Sequence, residues 1–291
     1  MNRIRILDCT LRDGGYVNEF CFGQSVIADI IVKLTEAHID IIECGFLKEE
    51  ETNPDKSIFA TVEDIKNQII KKDNQLRYVA MIVYGEMRCE KIPPYDQTGI
   101  DGIRLSFYKN EVEQAVLFAD KLIEKGYHVL MQPVATITYS NSELIDLVSK
   151  VNQMNPYALY VVDTLGNIQL EELKRLFCIV DCYLKKTITI GFHGHENLQM
   201  SLANVKGLIE IPTKRELLFD SSVLGMGRGA GNLATESLVE YLNDRIGFRY
   251  DVNPLIEIAN LYLNEIKQTN PWGYAVAYYL TAVYGCHPDY A

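Results

Sequence analysis

GIRLSFYKNEVEQAVLFADKLIEKGYHVLMQPV, residues 102–134, holds the pattern that decides the fold. It opens on a β-branched and apolar run, GIRLSFY, and closes on another, HVLMQPV from His128. Between them NEVEQAVLFADKLIEKG repeats apolar residues at intervals of three and four, the period of a helix with one buried face, and it opens on an Asn that can cap it. Strand, helix and strand in about thirty residues make a βαβ unit. Similar apolar runs begin at Ile4 (IRILDCT), Ile39 (IDIIECGF), Arg77 (RYVAMIVY), Ala158 (ALYVVDT), Thr187 (TITIGFHGH) and Leu217 (LLFDSSV), giving eight in all. Helical patterns fill other gaps: SVIADIIVKLTEA, TVEDIKNQIIKK, SNSELIDLVSKVNQM and QLEELKRLFCIV. Eight alternating units without a linker predict an α/β fold, a closed (β/α)8 TIM barrel over residues 1–245, because an open doubly wound sheet usually has fewer strands. NPLIEIANLYLNEIKQ and GYAVAYYLTAVYG then predict a short C-terminal helical extension, 246–291. Its abrupt end at CHPDYA suggests one part of a longer polypeptide.

Composition narrows the function. The chain has 291 residues, 48% hydrophobic and 23% charged, which suits a soluble globular protein with a sizeable core. Lys and Arg number 28 against 39 Asp and Glu, and the net charge of −11 would repel a nucleic-acid backbone. No signal peptide or membrane-spanning run can be marked, so a cytoplasmic protein is expected. Seven cysteines without a CxxC pair read as reduced thiols. Cys178 and Cys182, four apart, read as two apolar residues on one buried helical face rather than as a metal pair.

In a barrel of this kind functional groups sit at the carboxyl ends of strands. In TITIGFHGH, Thr187, Thr189, Gly191, His193 and His195 share one face and Ile188, Ile190 and Phe192 the other, so both histidines point into the barrel mouth. That spacing suits two imidazoles on one metal, and it equally suits two polar residues at a strand end. In the first strand Asp8, Thr10 and Arg12 alternate with Leu7, Cys9 and Leu11, and Asp13 follows before Gly14 and Gly15. Arg12 and Asp13 therefore reach the same rim, as a salt bridge or as a cation ligand beside an oxyanion donor. Glu43 lies in an otherwise apolar strand, where an unpaired carboxylate is costly, and Arg12 is a candidate partner. The sixth strand ends in Asp163 and Thr164. Glycines 225, 227, 229 and 231 follow the last strand instead of opening a βαβ unit, so they do not form a dinucleotide fingerprint. They leave room for an anion cradle at a helix beginning near Asn232.

LDCTLRDGG at 7–15, Glu43 in IIECGF, FHGHEN at 192–197 and GAGNLATE at 229–236 resemble the signature segments of the DRE-TIM metallolyase superfamily. That superfamily includes 4-hydroxy-2-oxovalerate aldolase, HMG-CoA lyase and the isopropylmalate and citramalate synthases. The resemblance implies that Asp13, His193 and His195 hold a divalent metal, with Asn232 matching a further ligand of the lyase branch. It implies that Arg12 stabilises an enolate, that Glu43 positions Arg12, and that Thr164 lies near the substrate carboxylate. VLGMGRGAGN lacks the catalytic cysteine of the acyl-CoA lyases, and the RDGG opening is most similar to the 4-hydroxy-2-oxovalerate aldolase group. Those aldolases carry a histidine base three residues after the metal-binding Asp. Here Tyr16 takes that catalytic position, and a phenol of ordinary pKa near 10 is a poor base at neutral pH. A metal-bound hydroxide, His287 folded back from the tail, or no equivalent group are the alternatives, with Tyr16 then a packing residue at the rim.

The expected protein is a metal-dependent carbon–carbon lyase that interconverts a 4-hydroxy-2-oxo acid with pyruvate and an aldehyde. Mn²⁺ or Mg²⁺ is the expected metal, and the ligand types also admit Zn²⁺. A Claisen-type acyl-CoA condensing enzyme on the same site is one alternative, and a catalytically idle barrel serving as a binding or assembly subunit is another. Tyr274, Tyr278, Tyr279 and Tyr284 read as packing residues, with a cap on a neighbouring barrel in a homo-oligomer or a place lining the site as the alternatives. Known aldolases of the group pair with an acylating aldehyde dehydrogenase through a C-terminal helical region, and the short tail here argues against that partnership.

Overall fold

The computed structural model describes residues 4–287 and 290; Pro288, Asp289 and Ala291 of the tail lie outside the described residues. Nine strands form one sheet: β1 (Ile4–Asp8), β2 (Ile41–Leu47), β3 (Ile58–Phe59), β4 (Arg77–Val83), β5 (Gly102–Phe107), β6 (His128–Pro133), β7 (Ala158–Asp163), β8 (Thr189–Gly194) and β9 (Leu217–Ser221). Neighbours run in the order β1-β9-β8-β7-β6-β5-β4-β2, and β1 closes the ring on β2 through Leu7 against Ile41. All these pairings are parallel, and β3 is a two-residue addition to the end of β2. Eight strands thus close into the expected (β/α)8 barrel.

The helices are α1 (Gln24–Glu36), α2 (Val62–Lys66), α3 (Val112–Glu124), α4 (Asn141–Met154), α5 (Leu170–Tyr183), α6 (Ser201–Ile209) and α7 (Thr235–Ile246), followed by α8 (Asn253–Ile258), α9 (Asn264–Thr269) and α10 (Val276–Val283). α8 and α9 are continuous through a π-helical turn at Ala259–Leu263. Leu255, Ile258, Leu263 and Trp272 of this extension join the same apolar core as the barrel helices. Between β4 and β5 the described chain has a 3₁₀ turn at Cys89–Lys91 in place of a helix. No helix among the described residues is long and apolar enough to cross a membrane.

Three local expectations are corrected. The pattern TVEDIKNQIIKK predicts a helix of about three turns, yet α2 stops at Lys66. Only Ile69 of the two following isoleucines finds the core, while Ile70 is 73% exposed, so little apolar burial rewards further winding. Cys178 and Cys182 are exposed. The buried stripe of α5 runs through Leu173, Leu176, Phe177 and Val180, and the two thiols fall on its other side. Tyr274, Tyr279 and Tyr284 are also exposed, so the chain's own packing does not account for them.

Gly45 fixes the end of β2. The register between β2 and β4 shifts between Glu43 and Phe46, and Gly45 there has φ +147°. A Cβ at this position would lie 2.1 Å from the Ser57 carbonyl oxygen, which accepts the Phe46 N–H. The conflict with the Ser57 backbone and the positive φ together leave room only for glycine. Gly45→Ala is expected to cost about 3 kcal/mol or more, seen as a lower urea midpoint at unchanged slope.

Candidate functional site

Above an apolar inner layer that includes Leu7, Ile41, Val79, Leu130 and Leu218, the carboxyl ends of the strands carry buried charge. Arg104 on β5 is its centre. Fully buried, it donates Nη1 to Glu43 Oε2 at 2.6 Å, and Nη2 to Gln132 Oε1 at 2.9 Å and to Asp220 Oδ2. Its guanidinium stands 4.8 Å from the centre of the Tyr160 ring. Gly191 makes room for that ring, since a Cβ there would lie 2.5 Å from it.

β1 does not continue to Arg12. It ends at Asp8, whose carboxylate turns away from the barrel interior to accept the Thr10 N–H at 2.9 Å and the Thr235 hydroxyl at 2.6 Å. Burial raises the Asp8 pKa to about 6. The chain then turns helically, with the Arg12 and Asp13 N–H groups both directed at the Cys9 carbonyl. This turn, and not strand alternation, brings Arg12 and Asp13 to the mouth. Arg12 donates Nε to Glu43 at 2.9 Å and Nη1 to Asp13 Oδ1 at 2.5 Å. Glu43 therefore joins Arg12 to Arg104, as its lone position in an apolar strand requires.

His193 and His195 face inward while Ile188, Ile190 and Phe192 pack outward, as the alternation predicts. His193 Nδ1 meets Asp220 Oδ2 at 2.9 Å, and burial pushes its pKa down to about 4. It is therefore neutral at pH 7, and its Nδ1–H donates to Asp220. His195 Nδ1 lies 3.0 Å from the Asp163 carbonyl, which can only accept, so this nitrogen is also the donor. Both imidazoles are thereby oriented by the nitrogen that is not aimed at the cavity. Burial disfavours the His195 cation, but Asp13 outweighs it and raises the pKa. Burial also opposes ionisation of Asp13, yet Arg12 and then His195 outweigh it and hold this carboxyl well below its usual range.

Ligand atoms of Asp13, His193 and His195 all lie within 4.8 Å of one another, and all three residues are buried. His195 Nε2 is 3.4 Å from Asp13 Oδ2, an ion-pair distance, and makes no hydrogen bond among the described residues. Asn232 donates Nδ2 to Asp13 Oδ2 at 2.8 Å, and its Oδ1 is likewise unpartnered. A carboxylate and two imidazoles that converge within this distance fit a divalent cation, with the unpartnered amide oxygen of Asn232 next to Asp13. Gly227 allows this approach, because a Cβ there would lie 2.3 Å from Asn232 Nδ2. The glycine loop thus serves Asn232 and Asp13; α7 begins three residues later, at Thr235, so the anion cradle expected near Asn232 is replaced by this contact.

The site opens into a cavity of about 150 Å³ lined by Arg12, Asp13, Tyr16, Thr164, His193 and His195. Phe46, Met81, Val83, Val134 and Val162 supply an apolar wall, and Arg228 and His287 close the mouth. Thr164 Oγ1 accepts the Ala135 N–H at 2.8 Å, leaving its own hydrogen to donate. Tyr16 is 39% exposed, packs edge-on against Phe20 and Phe46, and has its pKa raised by burial. Its phenol stays protonated at neutral pH, a donor and not a base.

Arg104, Asp220, Gln132 and Arg228 escaped the sequence reading. Arg104 and Asp220 carry the signal that exposed Glu43, a charge inside an apolar strand, in GIRLSF and LLFDS. Arg228 carries none, since its loop has no period.

The HMGL-like family matches residues 103–262, more than half of the chain. An oxaloacetate decarboxylase of Mycobacterium tuberculosis is 27% identical over 82% of this chain and 70% of its own length. A 4-hydroxy-2-oxovalerate aldolase of Bacillus cereus is 25% identical over 86% of this chain and 72% of its own. Among solved structures, the N-terminal domain of a putative aldolase from Bacteroides vulgatus superposes with a TM-score of 0.81 at 25% identity, covering 98% of this chain and 94% of that one. With its buried Asp and His cluster at the mouth of a parallel barrel, the chain belongs to the HMGL-like family of DRE-TIM proteins and is a lyase-type enzyme.

Proposed function

We propose that the chain is an aldolase that breaks or forms the C3–C4 bond of a 4-hydroxy-2-oxo acid through a pyruvate-type enolate. One observation carries this: the Asp13, His193 and His195 cluster shares its cavity with Arg12, whose buried Nη2 has no partner. A bound divalent metal, Mn²⁺ or Mg²⁺ by ligand type, would supply Lewis acidity toward the 2-oxo acid oxygens. Asp13, His193 and His195 would hold it, with the Asn232 amide oxygen alongside.

The remaining work falls to the chain. In the cleavage direction the C3–C4 electron pair stays on the 2-oxo fragment, the C4 hydroxyl gives its proton to water at the open mouth as it becomes the carbonyl, and C3 later takes a proton back. Arg12 donates Nη2 toward the developing enolate oxygen, held in place by Glu43 and Asp13. Thr164 donates to the substrate carboxylate. Tyr16 donates its phenolic hydrogen at the mouth and orients the C4 oxygen. Phe46, Met81 and Val83 exclude water from the enolate, which limits stray protonation. Oxaloacetate decarboxylation and 4-hydroxy-2-oxovalerate cleavage both leave an electron pair on C3 of a 2-oxo acid, so the relatives support the same chemistry.

Pyruvate release from a panel of 4-hydroxy-2-oxo acids, with and without EDTA and added Mn²⁺, tests the proposal. Activity should vanish with EDTA and return with Mn²⁺. Release of pyruvate at an undiminished rate by His193→Ala would refute it.

A further inference from the structure

Three guanidiniums meet at this barrel mouth, and two of them are neutralised where they stand. Arg12 lies between Asp13 and Glu43, and Arg104 between Glu43 and Asp220. Arg228 differs. It lines the same cavity from the loop after β9, and among the described residues no carboxylate pairs with it. Its contacts are neutral ones. The Tyr16 ring lies 3.9 Å beneath its Cζ, and Nη1 is 2.8 Å from His287 Nε2. A guanidinium can only donate, so His287 accepts through Nε2 and that nitrogen carries no proton. The stack and this bond fix the plane of Arg228 without neutralising it, and its Nε–Nη2 edge is uncommitted. Arg228 is also the shared wall between the inner cavity and an outer one of about 450 Å³, lined by Gly227, Gly229, Asn270 and Trp272.

We infer that Arg228 recognises a second carboxylate, so that the substrate is a 4-hydroxy-2-oxo dicarboxylate whose carbonyl product is itself an oxo acid. This rests on the aldolase reading above for the reaction, though not for the binding. The 2-oxo acid's own carboxylate has Thr164, and the metal that Asp13, His193 and His195 would hold, to receive it deeper in the barrel. A distal group would extend toward the mouth, where, among the described residues, Arg228 is the guanidinium without an anion. A single planar edge with two parallel N–H groups matches a carboxylate, whereas a phosphate dianion would call for more cationic donors than the mouth offers. The chemistry is balanced as in the monocarboxylate case: C3–C4 breaks, its pair and later a proton end on C3, and the C4 hydroxyl loses its proton. No oxidant or reductant is needed.

The test compares two substrates of equal chain length, 4-hydroxy-2-oxoglutarate and 4-hydroxy-2-oxovalerate, which differ only in a terminal carboxylate or methyl group. The Mn²⁺-loaded wild-type protein should favour the dicarboxylate in kcat/KM by about 10- to 100-fold, the range one charge-assisted hydrogen bond supplies. Arg228→Gln should collapse that ratio to near one, and Arg228→Lys, which keeps the charge but not the planar edge, should give an intermediate ratio. Unfolding midpoints verify that both variants are folded. Calorimetric binding of 2-oxoglutarate against 2-oxovalerate supplies the readout that needs no turnover, with the same preference and the same collapse. If neither hydroxy acid yields pyruvate but the binding preference appears and Arg228→Gln removes it, the aldolase reading falls and the Arg228 assignment stands. Equal binding of the two oxo acids by the wild type overturns the assignment. So does an equal loss on both substrates in Arg228→Gln, which would put Arg228 on the carboxylate common to both.

Discussion

Asp13→Asn is expected to lower Mn²⁺ affinity at least about 100-fold and activity on the order of 1000-fold. The substitution keeps the shape of the side chain and can still meet Arg12 through its amide oxygen, so the barrel should fold. What disappears is the negative charge. Asp13 is the one carboxylate in the Asp13, His193 and His195 cluster, and without it two neutral imidazoles and an amide face a dication alone. Its second oxygen would also become an NH₂ group, set against the Asn232 Nδ2 that now donates to it at 2.8 Å. Calorimetric titration with Mn²⁺ measures the affinity directly. Binding as tight as in the wild type would show that the metal is held elsewhere.

Arg104→Met is expected to be the most destabilising single substitution at the site, by about 3–5 kcal/mol. The residue is fully buried, and it separates the carboxylates of Glu43 and Asp220. Methionine fills much of the space but leaves Glu43 with Arg12 alone and Asp220 with only the neutral His193 N–H, two like charges short of a cation in the barrel interior. The consequences should spread along both arms of the network. Glu43 orients Arg12, and Asp220 orients His193, so the enolate donor and a metal ligand lose their supports together. Urea unfolding gives the stability change. Repeating Arg104→Met in a Glu43→Gln background isolates the charge contribution, because one of the stranded carboxylates is then neutral, and the penalty should shrink by about 1–2 kcal/mol. An unchanged penalty would attribute the loss to packing.

The Arg104 network also explains why the site is built on strands. Glu43, Arg104, Gln132, His193 and Asp220 come from five different strands, and parallel registers hold them at one level. Buried charges need fixed partners, and hydrogen-bonded strands allow little relative drift. Tyr16, Thr164 and Arg228, by contrast, stand on the segments that follow strands.

Much of this protein is legible from its residues in order. Eight apolar strand runs alternating with period-3.6 helical patterns point to a closed barrel, because an open doubly wound sheet buries the same faces but usually has fewer strands. Strand alternation also separates His193 and His195 from Ile188, Ile190 and Phe192, and the apolar face, which must go to the helices, leaves the histidines the barrel mouth. The apolar setting of Glu43 determines that it must be paired.

Only the tertiary structure decides the rest. That Arg12 and Asp13 share the mouth depends on a helical turn after Asp8, stabilised by Thr235 more than two hundred residues away, and local pattern carries no trace of that bond. That Glu43 answers to Arg104 as well as Arg12, and His193 to Asp220, depends on which strands become neighbours and in what register. That Cys178 and Cys182 lie in solvent depends on which stripe of α5 meets the barrel. The charge of Arg228 becomes meaningful only when the fold delivers Asp13, Glu43 and Asp220 to other partners. Local periodicity fixes which face a side chain takes, because that is a property of one segment's geometry. Pairing, charge balance and the shape of the cavity are properties of segments brought together, and only the folded chain brings them together.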